Sequence, residues 1–422
     1  MKSHQLKQLV FYQNIFENAG IKIFIKLLEE LEKENRNMDS LNTLISSLTR
    51  QLITEQLNQT QCYHQEPWKN YILSVLLTDE SPINLTMEAK RLSPNFPYYP
   101  ELLKDMAIIK NLFFYDWSAL SYFEASRLEV MDRNCLKPSI DFQNKLTNDI
   151  PEEELLQLLN ATIFQHGVGV FRDERTFSIK NDGSLKPIVE PEYKRLEDIV
   201  GNESKKKELI KNTAAFIAGK PALNVLLQGD MGTGKSTMVK ALVPYFKDSR
   251  LILIEVKKNQ LDVIPALIDR LEIRPFRFIL FLDDISFEEN EVEYKLFKNI
   301  MEGSLEETPD NVLLYATSNK RHLVTETFEE RDKAVHKKDV MEEKLSLSSR
   351  FGLVLHFVNP NQKEYLTIVK KLAKEAQLKI KEEDLIQRAI AWELRHLNRS
   401  GRTATQLVDY LKTEELSNIN ER

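Results

Sequence analysis

Gly229-Asp230-Met231-Gly232-Thr233-Gly234-Lys235-Ser236 concentrates three of this chain's 12 glycines into six residues. In so glycine-poor a sequence the cluster marks a place where backbone must come close to something, because glycine takes positive φ and close approach at no steric cost. Before it, Asn224-Val225-Leu226-Leu227-Gln228 reads as a strand; after it, Thr237-Met238-Val239-Lys240-Ala241-Leu242-Val243 reads as a helix. Strand, glycine-rich loop and helix start are the context in which the spacing G-x-x-x-x-G-K-S cradles phosphates. Consecutive amides from Gly229 to Thr237, those of Asp230, Met231 and Thr233 included, can then line an anion cavity. Lys235 is placed to reach the β- and γ-phosphates of a nucleoside triphosphate such as ATP, and Ser236 to offer its hydroxyl to Mg2+. A glycine-rich turn that merely precedes Lys-Ser would need neither flanking element.

Downstream of about residue 192, strand and helix patterns alternate, which predicts an α/β domain with a mostly parallel sheet covered on both faces. Five apolar runs with little alternation read as buried strands: 224–229, Leu251–Val256, Phe278–Leu282, Val312–Ala316 and Leu353–Phe357. Residues 360 to about 416 read as a small helical bundle opened by Asn359-Pro360. Upstream the pattern is helical. Leu6, Leu9, Val10, Ile15 and Phe16 keep a helical period that stops at Gly20, and a second stretch runs from Met38 to about Gln59 with Asp39 or Ser40 as cap. Pro100 opens a third, whose Ile108, Ile109, Leu112, Phe113, Phe114, Trp117, Leu120 and Phe123 read as helix-packing core. Past Gly167, Val168 and Val170 alternate with glycine, then Phe177 and Ile179 keep that spacing and Asp182-Gly183 gives a turn, so a short hairpin is expected. The expected division is a helical region 1–166, a hairpin and linker 167–191, a nucleotide-binding core 192–358 and a helical lid 359–422.

Composition sets outer bounds. A chain of 422 residues that is 42% hydrophobic and 29% charged has an ordinary globular make-up with room for two or three cores. A net charge of −6 argues against a general nucleic-acid coat and leaves a local basic groove open. Cys62 and Cys135 are too few for a disulfide framework or a zinc site, so free thiols in a reducing cytoplasm are expected. The start, Met1 to Gln8, leads into charged amphipathic sequence, and the most apolar run, Phe276–Leu282, is short and contains Arg277. A cytoplasmic protein without a membrane anchor is the expectation.

A phosphate loop alone implies binding. Hydrolysis needs an acid beside the metal, a group that positions water and positive charge for the transition state. The strand 278–282 ends in Asp283-Asp284: Asp283 can reach the Mg2+ water shell and Asp284 can polarise the attacking water as general base. An acidic strand end that only caps the next helix is the plain alternative. A later strand ends in Ala316-Thr317-Ser318-Asn319, and Asn319 is either a turn residue or a strand-tip contact to water and γ-phosphate, the position where ligands of open α/β sheets sit.

Taken together, phosphate loop, Asp-Asp strand end, polar strand tip, an arginine before the last strand and one in the terminal bundle resemble the AAA+ ATPase layout, over Asp198-Ile199-Val200-Gly201 to about Leu411. More narrowly, FILFLDDISF (Phe278 to Phe287), YATSNKRHL (Tyr315 to Leu323), KLSLSSRFGL (Lys344 to Leu353) and Ser400-Gly401-Arg402 resemble the bacterial family called domain of unknown function 815. The resemblance implies that Asn319 is the sensor-1 residue and that Arg402 is the sensor-2 arginine of the lid, presented by a helix that Ser400 caps. It implies that Asp198, Ile199 and Val200 pack around adenine. It makes Arg350 the arginine finger given to a neighbouring subunit of a homo-oligomer, a contribution worth on the order of 10³–10⁵ in rate. Arg321 and Arg331 are rival fingers, and Arg350 pairing with a local carboxylate or Arg402 lying on the surface are the alternatives. Many AAA+ proteins have Asp-Glu where this chain has Asp283-Asp284, which implies slower turnover.

Three functions fit these residues. One is an ATP-dependent remodeller or loader acting on a protein or nucleic-acid target; the second is a slow nucleotide-gated switch or scaffold. The third, a small-molecule kinase, has no need of Arg350 or of Ser400-Gly401-Arg402. The mixed-charge segment 325–344 is expected to be a solvated helix or loop between sensor 1 and the finger.

Overall fold

The computed structural model describes residues 1–58, 62–117, 140–189, 194–288, 291–302, 309–320, 324–325 and 350–420. The chain divides into two compact units, Met1–Glu174 and Arg175–Arg422.

Among the described residues the first unit is helical: α1 (Ser3–Leu6), α2 (Ala19–Leu31), α3 (Met38–Asn58), α4 (Pro67–Thr78), α5 (Pro82–Ala89), α6 (Tyr99–Phe113), α7 (Ile140–Lys145) and α8 (Glu152–His166). Gly20, where the sequence pattern puts the end of a helix, instead lies in the first turn of α2, where a Cβ would stand 2.4 Å from the Tyr71 hydroxyl. The cap of α3 is Asn37, whose Oδ1 accepts from the amides of Asp39 and Ser40 at 3.0 and 3.1 Å, rather than either of those residues. The aromatic stripe of α6 is core: Ile109, Leu112 and Phe113 are buried, and Ile108, Phe114 and Trp117 pack against them. Leu120 and Phe123 lie outside the described residues. Asp105 is fully buried and accepts from the amides of Val10 and Phe11 at 3.0 and 2.8 Å, holding the turn after α1 with a charged acceptor. Cys62 is disulfide-bonded, which corrects the expected free thiol. Val168 and Val170 are not strand; Gly169–Phe171 is a single 3-10 turn.

The second unit is built on strands β1 (Thr176–Ile179), β2 (Leu185–Pro187), β3 (Val225–Gly229), β4 (Leu251–Val256), β5 (Arg277–Leu282), β6 (Phe287–Glu288), β7 (Val312–Ser318), β8 (Val324–Thr325) and β9 (Leu353–Phe357). The main sheet runs β2-β1-β4-β5-β7-β3-β9, and β6 pairs with β8 in a short parallel ribbon. The five expected strands are there, all parallel, with the glycine-rich loop leaving the strand second from one edge. Among the described residues the sheet has seven strands rather than five, because the hairpin β1–β2 turns at Gly183 and then docks β1 parallel to β4.

Val225, Leu226 and Leu227 are fully buried, as a strand covered on both faces requires. Covering helices are α9 (Glu203–Ile217), α10 (Lys235–Lys240), α11 (Leu242–Tyr245), α12 (Ile264–Glu272) and α13 (Val292–Glu302). The helix expected through 237–243 is broken at Ala241 into α10 and α11. Pro244 has no amide to give the Lys240 carbonyl, so the ladder loses the bond that would join the two pieces.

The terminal bundle is α14 (Gln362–Glu375), α15 (Glu382–His396) and α16 (Gly401–Asn420), closed over Tyr365, Val369, Ala389 and Leu407. Its start signal lies two residues later than expected: Asn361 accepts from the Glu364 amide at 3.0 Å, and the Glu364 side chain accepts from the Asn361 amide. No helix among the described residues is long and apolar enough to cross a membrane.

Candidate functional site

The register of the parallel strands brings the loop and the polar strand tips to one edge of the sheet. Gln228 stands opposite Ser318 and His356, and Gly229 opposite Phe357. Gly229, Gly232 and Gly234 take φ of 141°, 78° and 88°, which side-chain-bearing residues rarely adopt. At Gly229 the need is also steric, since a Cβ would lie 1.8 Å from the Phe357 carbonyl oxygen.

The loop opens on a cavity of about 810 Å³. Met231, Gly232, Thr233, Gly234, Lys235, Ser236 and Thr237 line it, as do Ile199, Val200, Asp283, Asp284, Asn319 and Arg402. Gly229 and Asp230 do not line the cavity; their carbonyls accept from Lys235, which does.

Lys235 is buried, and its ammonium donates to the carbonyls of Gly229 and Asp230 at 2.9 and 2.7 Å and to Asn319 Oδ1 at 2.8 Å. Burial pushes its pKa down; the carboxylates of Asp284, Asp230 and Asp283 pull the other way and only partly offset this. Beside it Ser236 Oγ donates to Asp283 Oδ1 at 2.5 Å, and Thr317 Oγ1 donates to the same oxygen at 2.6 Å.

Asp284 has a left-handed backbone, φ 54°, that costs about 1–3 kcal/mol in a residue with a Cβ. Its amide donates to Thr317 Oγ1 at 2.8 Å and its Oδ1 accepts from Asn319 Nδ2 at 2.6 Å. The backbone turn thus aims the second carboxylate at the strand tip that Lys235 also touches. Loop, acidic strand end and Asn319, drawn from three separate strands, form one connected network.

The two arginines part company. Arg402 lines the cavity from the first turn of α16, which Ser400 caps by accepting from the Thr403 amide at 3.1 Å. Arg350 is exposed and precedes β9. Leu353 pairs with Val225, four residues before Gly229, so Arg350 sits at least about 13 Å of strand from its own loop. Arg321 and Arg331, and all of the segment 325–344 except Thr325, lie outside the described residues, as do residues 321–323 and 344–349 of the runs that carried the family resemblance.

Several contacts at the site escape sequence reading. Thr317 joins both aspartates. Asp230 Oδ2 accepts from the Asn359 amide at 3.0 Å, and the Gly401 amide donates to the Gly232 carbonyl at 3.1 Å, so the bundle rests directly on the loop. Lys371 of α14 donates to the Glu197 carbonyl at 2.8 Å and pairs with Asp198 at 3.3 Å, both Lys371 and Asp198 lining the cavity. Lys206, itself buried, donates to the Ile199 carbonyl at 2.6 Å and fixes the segment beside it. The run Ala316-Thr317-Ser318 hinted at one of these; Lys206 and Ile199 are seven residues apart but belong to no motif, and the others join residues too far apart in sequence to leave a local pattern.

The family described as Protein of unknown function (DUF815) matches residues 172–415. Among curated proteins, none matches. A solved Thermotoga maritima RuvB structure, described as a Holliday junction branch migration motor, is similar at 22% identity and a TM-score of 0.37, over 51% of this chain and 63% of that one. A FIGL-1 AAA domain in complex with ADP is similar at 18% identity and a TM-score of 0.36, over 54% of this chain and 75% of that one. The chain therefore spans less than two thirds of the RuvB chain it matches.

Proposed function

We propose that this chain, a member of the family of unknown function DUF815 with the AAA+ ATPase fold, binds ATP with Mg2+ and hydrolyses it to ADP and phosphate, driving remodelling or loading of a protein or nucleic-acid partner. One observation carries the reading. Lys235 and Ser236 of the loop reach Asn319 and Asp283 at 2.8 and 2.5 Å, and Asn319 reaches Asp284 at 2.6 Å. A cation, a hydroxyl, two carboxylates and an amide converge where a γ-phosphate leaving the loop would end, which is the equipment phosphoryl transfer to water requires.

The donor set fits Mg2+. Ser236 Oγ and Asp283 Oδ1 are adjacent hard oxygens, and no group of three or more acidic, His or Cys side chains that could hold a metal occurs among the described residues. Mg2+ takes few protein ligands and fills its shell with water and phosphate oxygens. Bound there, it would neutralise charge on the phosphates.

Asp284 accepts the proton of the attacking water, and Asn319 orients that water and the γ-phosphate. Arg402 stabilises the γ-phosphate from the lid. Arg350, remote from its own loop, serves the site of a neighbouring subunit in a homo-oligomer. Ile199 and Val200 pack on adenine. In this reading the helical region 1–166 holds the partner, 167–191 connects, 192–358 is the core and 359–422 the lid. The cycle runs in the cytoplasm, where ATP is supplied, and involves no membrane.

Asp284→Asn tests the assignment: Mg·ATP still binds, while phosphate release falls by about 100-fold or more, in the range of a lost general base. Unchanged turnover would remove Asp284 as the base. A slow switch or scaffold is favoured by one observation, the bond that ties the short Asp284 carboxylate to Asn319. A kcat well under the roughly 1 s⁻¹ at the low end of ordinary enzymes, with ATP retained, would select it.

A further inference from the structure

We propose that Asp230, the second residue of the phosphate loop, is a positioning residue for Arg402: it couples the phosphate contact of Lys235 to the seating of the terminal bundle. The inference rests on the nucleotide-binding reading above and concerns how the loop is wired to the lid.

Asp230 is bonded in both directions. Its carbonyl accepts from Lys235 Nζ at 2.7 Å and from Thr233 Oγ1 at 2.8 Å. Its amide donates to the Phe357 carbonyl at 3.1 Å, and its carboxylate accepts from the Asn359 amide at 3.0 Å. Phe357 ends β9 and Asn361 caps α14, so Asn359 lies midway along the short connection on which the bundle turns.

Two residues on, the Gly232 carbonyl accepts from the Gly401 amide at 3.1 Å, and a Cβ at Gly232 would stand 2.9 Å from Ser400. Arg402 follows Gly401 in the same turn. The bundle is therefore docked on the loop at its hinge and at the helix start that carries Arg402, and both contacts are made by the residues flanking Met231.

A donor count gives the coupling its direction. A lysine ammonium has three protons. Lys235 spends them on Gly229 O, Asp230 O and Asn319 Oδ1. A phosphate oxygen engaging Lys235 must displace one of these acceptors. Release of the Asp230 carbonyl frees the one loop peptide whose side chain holds the hinge. The charge on that carboxylate strengthens its hold on Asn359 beyond a neutral bond. Asp230→Ala removes the hinge contact, while Asp230→Asn keeps an acceptor oxygen of the same reach.

The test is a mutant cycle on the full chain, read as steady-state phosphate release. Asp230→Ala and Arg402→Ala are each expected to lower kcat/KM by roughly tenfold or more, the worth of a hydrogen bond to a charged group. The double variant is expected to be no worse than the weaker single one, because the residues act as one unit, and Asp230→Asn to recover most of the loss. Losses that multiply in the double variant, or an Asp230→Asn as damaged as Asp230→Ala, would overturn the proposal.

Hydrogen exchange on the unaltered chain covers the case in which Asp230→Ala fails to fold. Mg·AMP-PNP, a non-hydrolysable ATP analogue, should change protection of both 357–362 and 399–405 relative to Mg·ADP. A change confined to 229–237 would refute the coupling. No nucleotide-dependent change at the loop itself would instead strike the binding reading, and the coupling with it.

Discussion

Burial gives Lys235, the lysine of the glycine-rich loop, a pH signature. Its pKa is depressed from the usual 10.5 because the ammonium is desolvated. Below the depressed value the lysine is charged in folded and unfolded chains alike, and the full burial cost is present. Between that value and 10.5 the unfolded chain binds more protons, so this residue's contribution to stability rises with pH, and above 10.5 it is level. Phosphate binding needs the charged form, so the two effects oppose each other. Affinity for Mg·ATP, followed by titration calorimetry from about pH 7 to about pH 10, should decline before an ordinary lysine would lose its proton. Affinity that stays flat across that range would contradict the assigned environment.

Thr317 offers a second single-residue test. Its hydroxyl donates to Asp283 and accepts from the Asp284 amide, so Thr317→Val, of the same shape, frees the Asp283 carboxylate of one donor and leaves the Asp284 amide without its acceptor. Turnover should fall about tenfold or more with a smaller change in KM. Equal loss in both would point to a binding role.

Among the elements, the parallel strands were legible because strands buried on both faces are continuous apolar runs: Leu251–Val256 and Leu353–Phe357 begin and end where the sequence pattern does. Strand β7 runs two residues past its apolar part, to Ser318, because Thr317 and Ser318 still pair with Leu227 and Gln228 of β3 while their hydroxyls donate to Asp283 and the Ile285 carbonyl. The hairpin was legible as a hairpin, from Asp182-Gly183, but its docking on β4 was not, since strand partners are chosen by tertiary packing. The break at Ala241 has its sequence signal in Pro244, which lies one residue past the apolar run 237–243.

At the site, Lys235 and Ser236 can be named because they stand at fixed offsets in the loop motif, and Asp283 because it follows an apolar strand. Asn319 reads equally as a turn residue until strand order singles it out. The contacts Asp230–Asn359 and Gly232–Gly401 were not legible, since each joins residues well over a hundred positions apart. An element-scale prediction follows from Gly229. Gly229→Ala puts a methyl into the Phe357 carbonyl at the β3–β9 junction, a clash that backbone pairing cannot absorb. Stability should drop by about 3 kcal/mol or more, visible as a fall in Tm by calorimetry. A near-unchanged Tm would mean that β9 does not pair there.

For the whole molecule, the informative residue is Arg350. It precedes β9, at the far end of the sheet from its own loop, and in the proposed reading it serves the site of another subunit. Arg350→Ala should lower turnover by on the order of 10³-fold, and mixing it with Lys235→Ala subunits should restore part of the activity, since each supplies what the other lacks. Turnover per chain of the unaltered protein should also rise with concentration. Absence of complementation would assign Arg350 a local role and leave the finger to another arginine.

Nucleotide binding at the loop is tested most directly by titration calorimetry of the folded chain with ATP in the presence of Mg2+, beside Lys235→Ala. Saturable heat near one nucleotide per chain is expected. Affinity should weaken by about 100-fold or more in the variant, which loses the ammonium that three loop and strand-tip acceptors now hold. No heat from the unaltered chain, or the same affinity in Lys235→Ala, would contradict nucleotide binding at this loop.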